Sequence, residues 1–314
     1  MEPIHWFPGH MAKAKRQMEE SLRRVDAVLE LVDARLPAAS RNPMLRQMLG
    51  ARPKVVVMTR IDLADPRATA AWTAHLGGEG YPVVLVDAKS GRGVHEIVPA
   101  LEEAARALRE KEARRGIRPR PLRAMVVGIP NVGKSSLINR LAGRAAARIG
   151  DRPGITQTPQ WVRLGQVELL DTPGVLWPKL EDQRAALALA VSGAIKAEVV
   201  DRLLVAAYFV VFASRHYPTA LVERYGVEPA ADTSSLESLD TGAVWRAAEP
   251  VLNGIAQRRG LRRGGGAWDE ERAADLLLRE VQTGKLGRLS FEWPPERDEN
   301  SPQVDGQTGP AAVD

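Results

Sequence analysis

Short apolar runs alternate with helical patterns in the first half of the chain. The runs predict buried strands at about 25–32, 54–58, 82–86, 123–127, 160–164 and 167–170. Between them, the spacing of apolar positions predicts a basic helix at 12–24, a helix at 68–76 and one long helix over 94–115. Strands that alternate with helices predict an α/β fold, in which a mostly parallel sheet is covered by helices on both faces.

The pattern changes after Trp177 and Pro178, where only helices are predicted. They lie at about 181–192, 196–214, 218–224, 243–258 and 269–282. The last twenty residues are polar, contain proline and carry five acidic side chains against one arginine, so we expect them to be disordered. The sequence therefore predicts an α/β domain over 1–178, an all-helical domain over 179–294 and a disordered acidic tail over 295–314.

A glycine-containing loop follows the predicted strand at 123–127. It reads GIPNVGKS, matches the phosphate-binding pattern G-x-x-x-x-G-K-[ST], and is followed directly by a helical pattern. In such a loop the backbone N–H groups cradle the phosphates, the lysine reaches the β- and γ-phosphates, and the serine hydroxyl binds Mg²⁺. The predicted nucleotide contacts here are Asn131, Val132, Gly133, Lys134, Ser135 and Ser136.

A second phosphate motif follows the strand at 167–170. The segment DTPG fits D-x-x-G, in which Asp171 binds Mg²⁺ through water and the N–H of Gly174 contacts the γ-phosphate. Between the two motifs, Thr156 is the candidate switch residue that would close on Mg²⁺ and the γ-phosphate. We therefore predict that Ser135, Thr156 and Asp171 hold Mg²⁺, and that Lys134 and Thr156 contribute to catalysis.

Two candidate guanine-binding segments follow the strands at 54–58 and 82–86. The first reads TRID, a relative of N-K-x-D, and the second reads DAK, which is similar to the S-A-K loop of guanine sites. The residues concerned are Thr59, Arg60, Asp62, Asp87, Ala88 and Lys89. The Asp62 carboxylate can accept hydrogen bonds from N1–H and the 2-amino group of guanine, a donor pair that adenine lacks. Because Thr59 replaces Asn and Arg60 replaces Lys, we expect guanine selectivity with reduced affinity.

The base motifs precede the phosphate motifs, which reverses the usual order. The segment 116–121, GIRPRP, cannot continue a helix and is the predicted linker between the two halves. This order is the mark of a circularly permuted P-loop GTPase. Such a permutation is tolerated because domain termini lie on the surface, often close together.

Further segments resemble a known family. They read HWFPGHMAKA at 5–14, LVDAR at 31–35, SRNP at 40–43 and KLGRLSFE at 285–292. Together with the permuted order, they make residues 1–294 similar to the YlqF-type circularly permuted GTPases of ribosome biogenesis. The resemblance implies GTP and GDP as ligands with Mg²⁺, and a bacterial assembly factor for the large (50S) ribosomal subunit. It also implies nucleotide-controlled docking late in maturation, and hydrolysis that is stimulated by the subunit.

The residues that follow D-x-x-G are Val175 and Leu176, which cannot orient the attacking water as the glutamine of many GTPases does. Two candidates remain open for this role. His10, in a Gly-His-Met turn, can act as a base or orient the water, although a structural or partner-contacting role is equally open. Asn131 can help K⁺ to bind beside the phosphates, as in some related GTPases, which would supply positive charge.

Composition bears on the cellular location of the protein and on the class of partner that it binds. The chain has no cysteine, which excludes disulfides and thiolate metal sites. It has no signal-like apolar segment and no run long enough for a membrane span, so we expect a cytoplasmic protein that is a monomer away from the ribosome. The formal net charge is +5 despite the acidic tail, and a basic body favours a polyanionic partner.

The loop at 258–266, RRGLRRGGG, is a candidate RNA contact in the second half. Its arginines would offer forked donors to rRNA phosphates, but a plain solvated loop is equally open. Arg279, Lys285 and Arg288 favour the RNA interpretation slightly.

Two other functions remain possible from the sequence. An RNA-binding scaffold with a degenerate nucleotide site fits Thr59, Arg60 and the missing glutamine, but leaves the intact phosphate motifs unexplained. A P-loop ATPase or small-molecule kinase fits the phosphate loop alone. Asp62 and the lack of a recognisable substrate-binding cluster argue against that second alternative.

Overall fold

The computed structural model of this 314-residue chain describes most of both halves. The described residues are 16, 18–41, 45, 48–50, 52–143, 160–172, 182–195 and 201–295. All structural statements below concern these residues. Within them, no helix is long and apolar enough to cross a membrane.

A six-stranded sheet forms the centre of the first half. Its strands are β1 (Ala27–Asp33), β2 (Lys54–Thr59), β3 (Val83–Leu85), β4 (Leu122–Val127), β5 (Gln160–Leu164) and β6 (Val167–Asp171). They lie in the order β3-β2-β1-β4-β6-β5, and every neighbouring pair is parallel except β5 and β6. The mostly parallel sheet predicted from the apolar runs is therefore confirmed.

Burial along the strands explains their sequences. Every residue of β1 and β2 is buried, as expected for strands in the middle of a parallel sheet covered on both faces. In the described part of the chain, β5 is an edge strand whose single neighbour is β6, and it is largely exposed. Its side chains can therefore be polar or charged, whereas β1 is a nearly continuous apolar run.

Helices surround the sheet and make up the second half. In the first half they are α1 (Pro37–Ser40), α2 (Pro66–Gly78), α3 (Ile97–Ala104), α4 (Arg106–Arg114) and α5 (Lys134–Ala142). In the second half they are α6 (Gln183–Ser192), α7 (Arg202–His216), α8 (Pro218–Tyr225), α9 (Ser235–Ser238), α10 (Thr241–Arg258) and α11 (Glu270–Gln282). Residues 18–22, within the predicted basic helix, are also helical.

The prediction of one long helix over 94–115 was wrong. A 3₁₀ turn occupies Val94–Glu96, and the helix that follows is interrupted at Ala105, which has φ −91° and ψ 1°. Ala105 is fully buried, whereas α4 beyond it contains no buried residue. The chain therefore bends where its packed part ends, a change that an alanine- and glutamate-rich sequence does not signal.

One continuous hydrophobic core connects the sheet with the second half. It includes Leu31 of β1, Leu189 of α6 and Phe209 of α7, and it ends at Phe291. The predicted division of the chain at residues 178 and 179 stays a prediction, because this core runs across both parts.

The residues after α11 lie against the first half of the chain. We call residues 286–293 the C-terminal segment. The backbone N–H of Leu289 donates to the carbonyl of Leu63 at 2.9 Å, and that of Phe291 donates to the carbonyl of Arg35. Ser290, between them, is fully buried. The C-terminal segment therefore packs against the loop that follows β2.

Candidate nucleotide-binding site

The predicted motifs meet at one edge of the sheet. The phosphate loop follows β4, Asp171 ends β6, and the two candidate base segments follow β2 and β3. These four strands are parallel within the sheet, so their carboxyl ends lie on the same side, where open α/β sheets bind ligands. The structure thus brings together motifs from residues 59 to 171.

Two glycines of the phosphate loop are there for different reasons. A Cβ at Gly128 would lie 2.8 Å from the carbonyl oxygen of Leu31, so this glycine lets the loop approach β1. Gly133 has φ +101°, a backbone conformation that residues with a side chain rarely adopt, and no atom of the described residues lies within 4 Å of the position that a Cβ would take. Gly133 directly precedes the N-terminus of α5, and helix N-termini bind phosphate.

Lys134 is buried within the phosphate loop. Its Nζ donates to the carbonyls of Gly128 at 2.9 Å and Ile129 at 3.0 Å. Burial lowers the pKa of this lysine to about 8, although the charge of Asp171 acts in the opposite direction. A phosphate would favour the charged ammonium and give it a stronger acceptor than a carbonyl.

The donor set at the end of β6 fits Mg²⁺. The Asp171 carboxyl is buried beside the loop, and the hydroxyl of Ser135 lies at the first turn of α5. Within the described residues, no group of three or more His, Cys, Asp or Glu side chains could hold a metal ion. Mg²⁺ is a hard cation that takes several of its ligands from phosphate and water, so the oxygen atoms of Ser135 and Asp171 suit it.

Thr59 links the base side of the site with the phosphate side. Its hydroxyl lies 2.7 Å from the carbonyl oxygen of Val132 and 3.1 Å from that of Val32. Thr59 is buried at the end of β2, and its short side chain connects this strand with β1 and with the phosphate loop. A direct contact of Thr59 with the base stays a prediction. Its contacts with the two carbonyl oxygens explain why a residue that can form hydrogen bonds is needed at this position.

The other predicted base residues lie close together. Asp62 and Lys89 face each other, with 3.8 Å between Oδ2 and Nζ. Asp87 accepts a hydrogen bond from the backbone N–H of Lys89 at 2.8 Å, and Ala88 between them is half-buried. Burial alone would raise the pKa of Asp87, but hydrogen bonds from Ser90 and from the backbone hold it below its usual value. The loop is thus an ordered turn closed by an anionic side chain.

Arg60 extends from the base loop to the phosphate loop. Its Nη2 donates to the backbone carbonyl of Asn131. The side-chain amide of Asn131 in turn donates to the carbonyl of Gly193, at the end of α6, at 3.1 Å. The Oδ1 atom of Asn131 accepts no hydrogen bond from the described residues, so it can serve as an oxygen ligand.

Three predicted site residues lie outside the described residues: His10, Thr156 and Gly174. Their predicted roles are therefore neither supported nor contradicted by the structure. Conversely, sequence reasoning assigned no role to Asp33 and Arg35, which form a buried ion pair with 2.7 Å between Oδ2 and Nη2 beside Arg60. The available signal was an acidic and a basic residue at the end of an apolar strand, because Asp33 is the last residue of β1 and Arg35 lies two residues beyond it.

Comparison with known proteins agrees with this geometry. A family model described as a 50S ribosome-binding GTPase matches residues 123–221. Ribosome biogenesis GTPase A of Bacillus cereus is 44% identical over 303 residues, which cover 96% of this chain and 98% of that protein. Mitochondrial ribosome-associated GTPase 1 of Ictalurus punctatus is 38% identical and covers 73% of this chain and 74% of its own length. GNP-bound YlqF from T. maritima matches with a TM-score of 0.60 at 27% identity, over 91% of this chain and 100% of that one.

The fold and the site define a circularly permuted P-loop GTPase, an enzyme that binds guanine nucleotides and hydrolyses GTP. The order of the motifs and the coverage of nearly the whole chain make the assignment more specific. The chain belongs to the ribosome biogenesis GTPase A family.

Proposed function

We propose that this GTPase is an assembly factor for the large (50S) ribosomal subunit, which docks late in maturation under the control of its nucleotide. The main support is that the base and phosphate segments meet at one sheet edge and are tied together by the Thr59 hydroxyl. A site whose two halves are connected in this way can respond to nucleotide as a unit. The names of the relatives and of the matching family model support a ribosomal partner, in the cytoplasm of a bacterium.

The residues have separate roles in this proposal. Asp62 selects guanine, and Arg60 and the turn containing Asp87 support the base. Lys134 stabilises phosphate charge. Ser135 and Asp171, with Thr156, hold Mg²⁺, and the N–H of Gly174 contacts the γ-phosphate. The cation supplies charge stabilisation during hydrolysis, and the protein aligns the phosphate and excludes water around it.

The attacking water has two candidate partners. His10 can orient it, or K⁺ bound beside Asn131 can supply the positive charge. The position of Asn131 is compatible with the second alternative, because its Oδ1 atom is not used by described residues. Replacing KCl by NaCl at equal ionic strength separates the two, since only the K⁺ mechanism predicts a loss of rate.

The basic loop at 258–266 is partly used within the fold. Arg262 lies over the ring of Trp268, 4.5 Å from its centroid, and Arg263 pairs with Asp269 and Glu271. Arg262 is itself exposed and can still contact RNA, so the loop remains part of the proposed ribosome-facing surface. Arg288 is also exposed, and part of its side chain is hydrogen-bonded within the fold.

Arg288 donates to the carbonyls of Ala64 and Ile61, each at 2.8 Å. Two of its donors are therefore used within the fold, and the expectation that Arg288 contacts RNA stays a prediction. Its forked donors fix the C-terminal segment to the base loop.

Phosphate release from GTP tests the proposal directly. We would measure it in KCl and Mg²⁺, alone and with purified 50S subunits, with 30S subunits as the matched control. Stimulation by 50S and not by 30S subunits is the expected result. Turnover that neither subunit changes would contradict the ribosomal part, and no turnover in any condition would favour an RNA-binding scaffold.

A further inference from the structure

A closed ring of polar contacts joins the base loop, the phosphate loop and the end of α6. We call it the polar ring. It consists of the side chains of Asp33, Arg35, Arg60 and Asn131 and the carbonyls of Ser192 and Gly193. These residues come from four segments that are distant in the sequence. The contacts can therefore hold the segments in one relative arrangement.

The pair of Asp33 and Arg35 is the most buried part of the polar ring. Nε and Nη2 of Arg35 donate to the two carboxylate oxygens at 3.0 and 2.7 Å, and its backbone N–H donates to the same carboxylate. The two residues are only 2% and 1% exposed. Burial alone would raise the pKa of Asp33, but the charge and hydrogen bonds of Arg35, with the charge of Arg60, lower it. Asp33 is thus an anion that can attract a second cation.

Arg60 is that second cation, and its backbone is strained. Its φ of 58° lies in the left-handed region, which residues other than glycine rarely adopt. Nη1 lies 3.6 Å from Oδ2 of Asp33, and Nη2 donates to the carbonyl of Asn131. Two contacts at the end of the side chain therefore hold a turn that would otherwise relax. Asp62 is only two residues further along the same turn.

The ring closes at the carboxyl end of α6. Arg35 Nη2 donates to the carbonyl of Ser192 at 3.1 Å, and the amide of Asn131 donates to the next carbonyl, that of Gly193. The last carbonyls of a helix have no partners within the helix and carry its negative partial charge. Cationic and amide donors are therefore well placed there, and they connect α6 with the nucleotide loops.

We propose that Arg35 is a positioning residue for guanine selection, which acts through Asp33 on Arg60 and so on the turn that carries Asp62. The inference rests on the proposed role of Asp62 in base recognition. The guanidinium of Arg35 binds both carboxylate oxygens and a helix carbonyl at once, because its donors form a fixed planar fork. A lysine keeps the charge at this position but loses the fork.

The test is the affinity of Arg35→Lys for two nucleotides, GDP and inosine diphosphate. Inosine diphosphate has the same phosphates but lacks the 2-amino group, so effects on the phosphate loop cancel in the ratio of the two Kd values. We expect GDP binding to weaken about tenfold, as for the loss of one well-oriented polar contact, and inosine diphosphate binding to weaken less, because hypoxanthine shares only the N1–H contact with Asp62. A purely structural role would weaken both equally.

Arg41→Lys is the matched control. Arg41 forms a comparable forked pair with Glu79 but lies outside the polar ring, so its ratio should equal that of the wild type. If Arg35→Lys does not fold, Asp33→Asn preserves the shape and breaks the link to Arg60, with the same expected result. An unchanged ratio in a folded ring variant would overturn the inference alone. A wild type that does not prefer GDP over inosine diphosphate and ADP would overturn the base-site assignment, and the inference with it.

Discussion

At the residue scale, the proposed choice of base depends on a single carboxylate. Asp62 lies 3.8 Å from Lys89, and both of its oxygens are acceptors. Guanine presents two donors to such a group, whereas xanthine presents an acceptor in place of the 2-amino group. A substitution of Asp62 can therefore change which base binds without altering the fold.

Asp62→Asn is expected to exchange guanine for xanthine. The amide supplies a donor where xanthine has a carbonyl, and it leaves the guanine amino group without one acceptor. We expect GDP affinity to fall by about a hundredfold or more while binding of xanthosine diphosphate becomes measurable. Fluorescence titration with both nucleotides measures this. Unchanged GDP affinity without measurable binding of xanthosine diphosphate, at an unchanged melting temperature, would show that Asp62 does not read the base.

Glu292 is a second residue with a clear individual consequence. Burial raises its pKa to about 7, although the backbone N–H groups of Ala39 and Ala38 donate to it and act in the opposite direction. The folded state therefore holds the proton more tightly than the unfolded state, whose pKa is 4.5. This contribution to stability is complete below pH 4.5 and is lost as the pH rises through 7.

We therefore expect Glu292→Gln to reduce the fall in stability of the wild type between pH 5 and pH 8. The difference in unfolding free energy can reach at most about 3 kcal/mol, because the pKa rises from 4.5 to about 7 on folding. Thermal melts across this pH range measure it. Glu237→Gln, at an exposed glutamate of α9, is the control. A Glu292→Gln curve parallel to the wild type would contradict the prediction.

At the element scale, the base loop after β3 depends on one tight approach. Gly93 has φ +75°, and a Cβ there would lie 1.8 Å from the carbonyl oxygen of Leu85. A backbone oxygen at the end of a strand cannot move aside cheaply. The turn that contains Asp87 can therefore close only because residue 93 is glycine.

Gly93→Ala should displace this loop and weaken GDP binding. Gly80→Ala is a matched control, because Gly80 has a similar φ of +85° but no atom within 4 Å of its Cβ position. Both variants lose about 1 kcal/mol to backbone strain, and Gly93→Ala should lose at least about 2 kcal/mol more to the clash. Urea unfolding and GDP titration of the two proteins test this. Equal losses would show that strain alone matters.

The elements also show what a sequence can predict. Long apolar runs such as β1 and β2 were located to within a residue or two, because full burial makes the signal local. The helices α1 and α9 were missed, since four residues are too few for a helical period. The interruption at Ala105 was missed because it depends on where packing against the sheet ends.

At the scale of the whole molecule, the site depends on contacts that no local pattern encodes. The motifs themselves were predicted in the correct order, because each is a short segment after a strand. The contact of Arg35 with Ser192, in contrast, spans 157 residues of sequence. Likewise, the fit of the C-terminal segment behind the base loop depends on how the second half packs against the first. The polar ring could therefore be found only in three dimensions.

Arg288→Met tests how far the C-terminal segment stabilises the molecule. It removes two charge-assisted hydrogen bonds and leaves the carbonyls of Ile61 and Ala64 without these donors. We expect a loss of about 2–3 kcal/mol in unfolding free energy. Arg279→Met, at an exposed arginine of α11, should change it little. Chemical denaturation followed by circular dichroism measures both, and equal stabilities would contradict the prediction.

The order of the strands has a consequence for synthesis. β1 lies between β2 and β4, yet 88 residues separate its end from the beginning of β4. The ribosome adds about 5–20 residues per second, so one edge of the apolar strand β1 remains without its neighbour β4 for roughly 4–18 s during translation. By the end of that time the nascent protein has the proposed base segments but not yet the phosphate loop. It therefore cannot use nucleotide binding to stabilise itself until the phosphate loop has left the ribosome.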